Sequence, residues 1–195
     1  MNVRKTVMRS GIIIAIILAS IIFGFVFQKV SDNVERSKYP LEFKGFVEKY
    51  SSEYGVPQNV IFAVIKNESG FDSSLLSEDG RIGLMQVSPE TLEEYKEELH
   101  DSYDTGMLYD PETNIKYGTY RLSKIYLKVG TWRAAYAAMA TDVDTVLSWL
   151  ENEEYSEIAE MHKPRLVTIP DENAAEFTER MEKAADKYKE LYFNK

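Results

Sequence analysis

Residues 60–91 read VIFAVIKNESGFDSSLLSEDGRIGLMQVSPET, and the apolar run that opens this stretch ends on a carboxylate, Glu68. Ile65, Val64 and Ile61 stand three, four and seven positions before it. Those offsets share one helix face, so a helix here carries Glu68 on its apolar side. Two effects then disfavour the ionised form: loss of hydration, and the negative end of the helix macrodipole. An acid so placed holds its proton to higher pH than a free glutamate, as a general acid must. The same position also suits a glutamate that only marks a helix end and points to solvent. Glycines 70, 80 and 83 interrupt the periodicity that follows. Residues 70–87 are therefore expected as a loop, with short extended pieces, in which backbone can approach a ligand closely.

Helical patterns flank this stretch on both sides. Phe43, Phe46, Val47 and Tyr50 recur at three- and four-residue steps, Gly55 can end their helix, and Pro57 suits the first turn of the next. Downstream, Ser88-Pro89-Glu90 and Asp110-Pro111-Glu112 are each a capping residue followed by proline, the pattern of a helix start. Ile115, Thr119, Leu122, Ile125, Tyr126 and Val129 form one stripe that stops at Gly130. Thr131 caps a helix rich in small residues, a second one runs from Val143 to Leu150, and Phe177, Met181, Ala184, Ala185, Tyr188 and Leu191 mark a last long one. Strand signal is weak throughout. The fold class expected is predominantly α, with at most a small β element.

The N-terminus has a different character. Gly11 to Phe27 reads GIIIAIILASIIFGFVF, seventeen residues without a charge, preceded by Arg4, Lys5 and Arg9. With its apolar flanks the run just spans a bilayer core, and the basic residues before it place the N-terminus on the cytoplasmic side. A cleaved signal peptide is the competing reading, but Gln28-Lys29-Val30 follows the run instead of a small-x-small site. The organisation expected is a basic cytoplasmic segment (1–10), a transmembrane signal anchor (11–30), a polar tether (31–40) and one extracytoplasmic domain (41–195).

Charge and composition exclude several classes. The net charge of the 195-residue chain is −9, and residues 1–30 carry +4, so the remainder carries −13. No nucleic acid partner is expected of so acidic a domain. A neutral sugar backbone, held by aromatic faces and hydrogen bonds, suits it better. Cysteine is absent, which excludes disulfides and thiolate metal sites. His100 and His162 lie far apart in polar surroundings and read as surface residues. Asp72, Glu78 and Asp79 lack the calcium-loop spacing, so no metal and no cofactor is expected.

Glu68-Ser69-Gly70-Phe71, then Ser77, then Gly80 to Pro89 with Thr91, resemble the signature of the family-1 lytic transglycosylases. That signature is an ESxF segment, a serine, and a GxxGLMQ run closed by proline and threonine. Asp110 to Ile115 is similar to the family's DPxxNI segment. The resemblance covers roughly residues 41–195 and implies a lysozyme-like α fold. It also implies cleavage of the β-1,4 bond between N-acetylmuramic acid and N-acetylglucosamine in peptidoglycan strands. By the same resemblance Glu68 is the single catalytic acid/base, and the muramoyl 6-hydroxyl closes a 1,6-anhydro ring without external water. Ser77, Met85, Gln86 and Tyr136 match its substrate-binding residues.

This chain departs from the family pattern at the AYNxG segment, where Ala137 stands for asparagine and Met139 for glycine. It departs again near its end, where Asn173, Ala174 and Phe177 replace glutamate, threonine and tyrosine. Loss of one asparagine hydrogen bond costs about 1–3 kcal/mol of transition-state stabilisation, which slows an enzyme without abolishing it. A lysozyme-type hydrolase and a non-catalytic glycan-binding domain on the same fold are the alternative readings.

Overall fold

Val60 to Ile65, six consecutive residues of the helix α3 (Gln58–Glu68), are all buried. A helix buried on every side can only be central, and the rest of the domain is arranged to cover it. The computed structural model describes residues 3–158 and 163–194, with side chains given outside residues 3–17, 19 and 32. It divides into two units, residues 1–40 and 41–195.

In the second unit α2 (Lys44–Tyr54) ends on Gly55, whose left-handed φ of 71° lets its N–H reach the Ser51 carbonyl. Pro57 stands just before α3 rather than in its first turn, with ψ at 139°. Beyond the loop come α4 (Pro89–Tyr95), a 3-10 turn (Thr105–Tyr109) and α5 (Pro111–Val129). Then follow α6 (Trp132–Ala140), α7 (Val143–Glu151) and α8 (Glu172–Tyr188). Ser88, Asp110, Thr131, Asp142 and Asp171 each cap the helix after them by accepting from the backbone N–H three residues on. The small β element is a pair of antiparallel strands, β1 (Ser156–Ile158) and β2 (Pro164–Leu166), in register Ser156 to Leu166.

Packing follows from the apolar faces. The helix α8 lies against both α3 and α6, and α5 lies against α2 and α6. Tyr188 stacks on Phe62 at 5.3 Å between ring centres, and Met181 is fully enclosed. A second cluster under α6 gathers Ile125, Ala134, Ala138, Val146, Leu150 and Leu166. Two walls of one cleft thereby become rigid, since both the end of α3 and the middle of α8 are fixed by core contacts.

The first unit holds one helix, α1 (Val3–Lys38). Its backbone stays helical through residues 31–38, where a polar tether was expected. No glycine or proline interrupts 31–38, and Pro40 then ends the pattern. Leu18, Ile21, Ile22, Phe23, Phe25, Val26, Phe27 and Val30 are all exposed. The side chains of the expected membrane span from Gly11 to Ile17 lie outside the described residues. Among the described residues no helix is long and apolar enough to cross a membrane.

Candidate active site

Glu68 is the last residue of α3, and the chain must turn sharply after it. Ser69 closes the helix, its hydroxyl within bonding distance of the Ile65 carbonyl at 3.1 Å and the Leu84 carbonyl at 2.8 Å. That single hydroxyl ties the helix end to the loop. Gly70 and Phe71 follow with φ of 59° and 73°, which redirects the chain into it. The loop then doubles back through bridges between Leu76 and Ile82 and between Ile82 and Val87.

The loop is pinned from below by Asn114, a fully buried residue in the first turns of α5. Its amide donates to the carbonyls of Ile82 (2.7 Å) and Leu108 (2.8 Å), and its oxygen accepts from the Met85 N–H (2.8 Å). Gly83 packs so tightly on this amide that a Cβ there would come within 2.5 Å of it and 2.7 Å of the Leu108 carbonyl. Asn114 and Gly83 thus fit only each other.

Around Glu68 this leaves a cleft of about 410 Å3, lined by Asn67, Glu68, Arg81, Met139, Ala140, Asn173, Glu176, Phe177 and Arg180. The Glu68 side chain is 7% exposed, and Arg81 Nη1 lies 3.6 Å from its Oε2. That separation is an ion-pair distance rather than a hydrogen bond. Arg81 is held in turn by Asp79, which accepts from its Nε at 2.8 Å, and Asp79 is itself bonded to the Ser77 hydroxyl. Burial is the largest influence on the Glu68 carboxyl and raises its pKa. Arg81, Arg121 and Arg180 pull in the opposite direction without reversing the outcome, and Asp79 adds a smaller upward push. The group at the centre of the cleft is therefore a carboxylic acid reluctant to ionise.

The other expected contact residues do not line this cleft. Ser77 holds the loop together: its hydroxyl accepts from the Arg81 N–H at 2.8 Å. Met85 is 3% exposed and packs on Gly118 of α5. Gln86 is also 3% exposed, with φ 50°, and its amide donates to the Gly83 carbonyl at 2.8 Å. A tightly folded loop must satisfy its own buried polar groups, and the side chains of Ser77 and Gln86 do so here. Tyr136 is 1% exposed, and its ring borders a different, larger cavity of about 630 Å3 between α3, α6 and α8 that does not include Glu68. From α6 it is Met139 and Ala140 that reach the cleft, while Ala137 is fully buried in the core. Of the departures from the family pattern, Met139, Asn173 and Phe177 therefore touch the site directly. His100 is exposed, and His162 lies outside the described residues.

Residues 45–162 match the family model of the transglycosylase SLT domain. The chain belongs to that family. It is 32% identical over 127 residues to the soluble lytic murein transglycosylase of Escherichia coli, covering 64% of this chain and 20% of that protein. It is 29% identical over 107 residues to the membrane-bound lytic murein transglycosylase C of Sodalis glossinidius, covering 53% and 29%. Among solved structures, the 70-kDa soluble lytic transglycosylase of Escherichia coli superposes with a TM-score of 0.71 at 26% identity, over 82% of this chain and 26% of that one. The chain thus spans about a fifth of the soluble relative and under a third of the membrane-bound one. Its second unit has the predominantly helical, lysozyme-like fold of the family.

Arg121 and Arg180, whose charges act on Glu68, are not marked by any motif in the sequence. Arg121 falls three residues after Gly118 and four before Ile125, both buried positions on α5. Arg180 stands three after Phe177 and four before Ala184 on α8. A charge set into an apolar stripe was the available signal.

Proposed function

We propose that residues 41–195 cleave peptidoglycan glycan strands as a lytic transglycosylase, with Glu68 acting first as acid and then as base. The observation that carries this reading is the carboxyl of Glu68, 7% exposed at a helix end and facing a cleft between the loop and α8. Protonated Glu68 gives its proton to the glycosidic oxygen as the bond to the muramoyl C1 breaks. The carboxylate that remains then takes the proton of the muramoyl 6-hydroxyl, whose oxygen bonds to C1 and closes the 1,6-anhydro ring. The proton count balances, and no water is consumed. Arg81 sits where it can stabilise the carboxylate between the two steps, held there by Asp79.

One observation favours a second reading. Glu176 of α8 also lines the cleft, and a hydrolase would need such a second carboxylate to activate water. Its product would be heavier by one water per cut. Digestion of purified cell walls followed by mass measurement of the released sugars separates the two. Anhydro-muramoyl ends that vanish on Glu68→Gln and survive Glu176→Gln support the transglycosylase; hydrated ends lost in both variants support the hydrolase.

We further propose that α1 anchors the enzyme in the cytoplasmic membrane, with residues 41–195 outside it. The exposed apolar surface from Leu18 to Val30 and the basic residues before it support this reading. So does the relative named as membrane-bound.

A further inference from the structure

Residues 41–195 contain five arginines in a segment that is strongly acidic. Two of them, Arg133 and Arg165, are paired with Glu182 and Glu157 at the surface. The remaining three come from three separate elements, and the charge of each bears on Glu68. Arg81 comes from the loop, Arg121 from α5 and Arg180 from α8, and each acts electrostatically on Glu68. Arg81 and Arg180 line the cleft itself. Arg121 is partly buried, and the attraction of Glu68, to which Glu94 adds, opposes the cost of that burial. Arg180 has no ion-pair partner among the described residues, although Glu176 stands one turn before it on the same helix, and its guanidinium rests 5.8 Å from the centre of the Phe177 ring.

The charge balance becomes lopsided at the moment the reaction needs. Glu68 must be protonated to act as an acid, and the three guanidiniums then face the exposed Glu176, an Asp79 already bonded to Arg81, and Glu94 acting on Arg121. Arg81 and Arg180 are both open to solvent, so their excess positive charge is available to an incoming anion. Guanidinium is also the side chain best matched to a carboxylate, through two parallel hydrogen bonds. We propose that Arg81 and Arg180, which line the Glu68 cleft, make it selective for glycan strands that carry a free carboxylate close to the scissile bond. This proposal rests on the transglycosylase reading of the same cleft and specifies its substrate. Two parts of a muramoyl unit supply such a group: the lactyl ether once its peptide has been removed, and the termini of an attached stem peptide.

The full-length Glu68→Gln protein, which mimics the protonated acid and leaves substrate intact, provides the test. Its dissociation constants are measured for peptide-free glycan oligomers, for peptide-bearing oligomers, and for neutral N-acetylglucosamine oligomers of equal length. The expected result is binding about tenfold tighter for one or both anionic classes, weakening as salt is raised. Preference for the peptide-free class identifies the lactyl carboxylate as the source; preference for the peptide-bearing class alone identifies the stem peptide. Adding Arg180→Gln, an exposed position whose change leaves the fold intact, removes most of that preference. Arg180→Lys restores part of it, and Arg165→Gln leaves it unchanged. Equal binding of all three classes, binding of none, or a preference untouched by Arg180→Gln overturns the proposal. Wild-type digestion is scored separately, so anhydro products without a charge preference would sink only the selectivity, and the converse only the reaction.

Discussion

At the scale of a single residue, Glu68 is held in a state that costs the fold something. Its pKa is raised above the ordinary 4.5, because burial outweighs three nearby arginines. For a carboxylate the sign is definite. The folded protein disfavours ionisation more than the unfolded chain does, so stability falls as pH rises from 4.5 through the raised value. Glu68→Gln removes that penalty. We expect its Tm to exceed that of the wild type by a few degrees at pH 7, with the gain fading as pH drops below 4.5 in thermal melts across that range. A variant no more stable than wild type at neutral pH would mean the carboxyl is not disfavoured by its surroundings. Activity should follow the same titration, falling as pH climbs past the raised pKa.

At the scale of an element, the loop between α3 and α4 does the positioning, and Asn114 is its anchor. Replacing it with alanine leaves the Met85 N–H and the Leu108 carbonyl without their buried partner, while the Ile82 carbonyl keeps the Val87 N–H. Each loss costs about 1–3 kcal/mol, so Asn114→Ala should destabilise the domain by roughly 2 kcal/mol or more in urea denaturation. A cost under 1 kcal/mol would show that the loop is held elsewhere. This element also marks the limit of what sequence could supply. The helix starts at Ser88, Asp110 and Thr131 were readable because capping is a local matter of one side chain and a backbone N–H three residues on. The inward turn of Met85 and Gln86 was not, because it depends on Asn114, which lies 29 residues from Met85 in the chain. Tyr136 follows the same logic: helical spacing gave its face, but only α3 and α8 together decide which cavity that face meets.

At the scale of the whole molecule, the two units treat their apolar residues differently. The domain encloses its apolar residues around α3, whereas α1 leaves its own exposed from Leu18 to Val34. Residues 41–195 hold a complete core without α1, so a protein lacking residues 1–40 should fold with the Tm of the full chain within about 2 °C. Only the full chain should pellet with membranes after an alkaline wash. Full-length protein released by that wash would contradict the anchor. The arginine grouping is likewise a property of the whole, since it joins a loop and two helices that are distant in sequence. The net charge of the segment beyond residue 30, −13 from a total of −9 and +4 before it, conceals the cationic centre within it.

The central claim is that one buried glutamate cuts the glycan and lets the sugar's own hydroxyl complete the reaction. Its most direct test is the mass of the muramoyl end released from purified walls by wild-type protein and by Glu68→Gln, run side by side. The account predicts ends lighter by one water than the hydrolysed sugar, from the wild type only. Hydrated ends from the wild type, or anhydro ends persisting undiminished in Glu68→Gln, would contradict it.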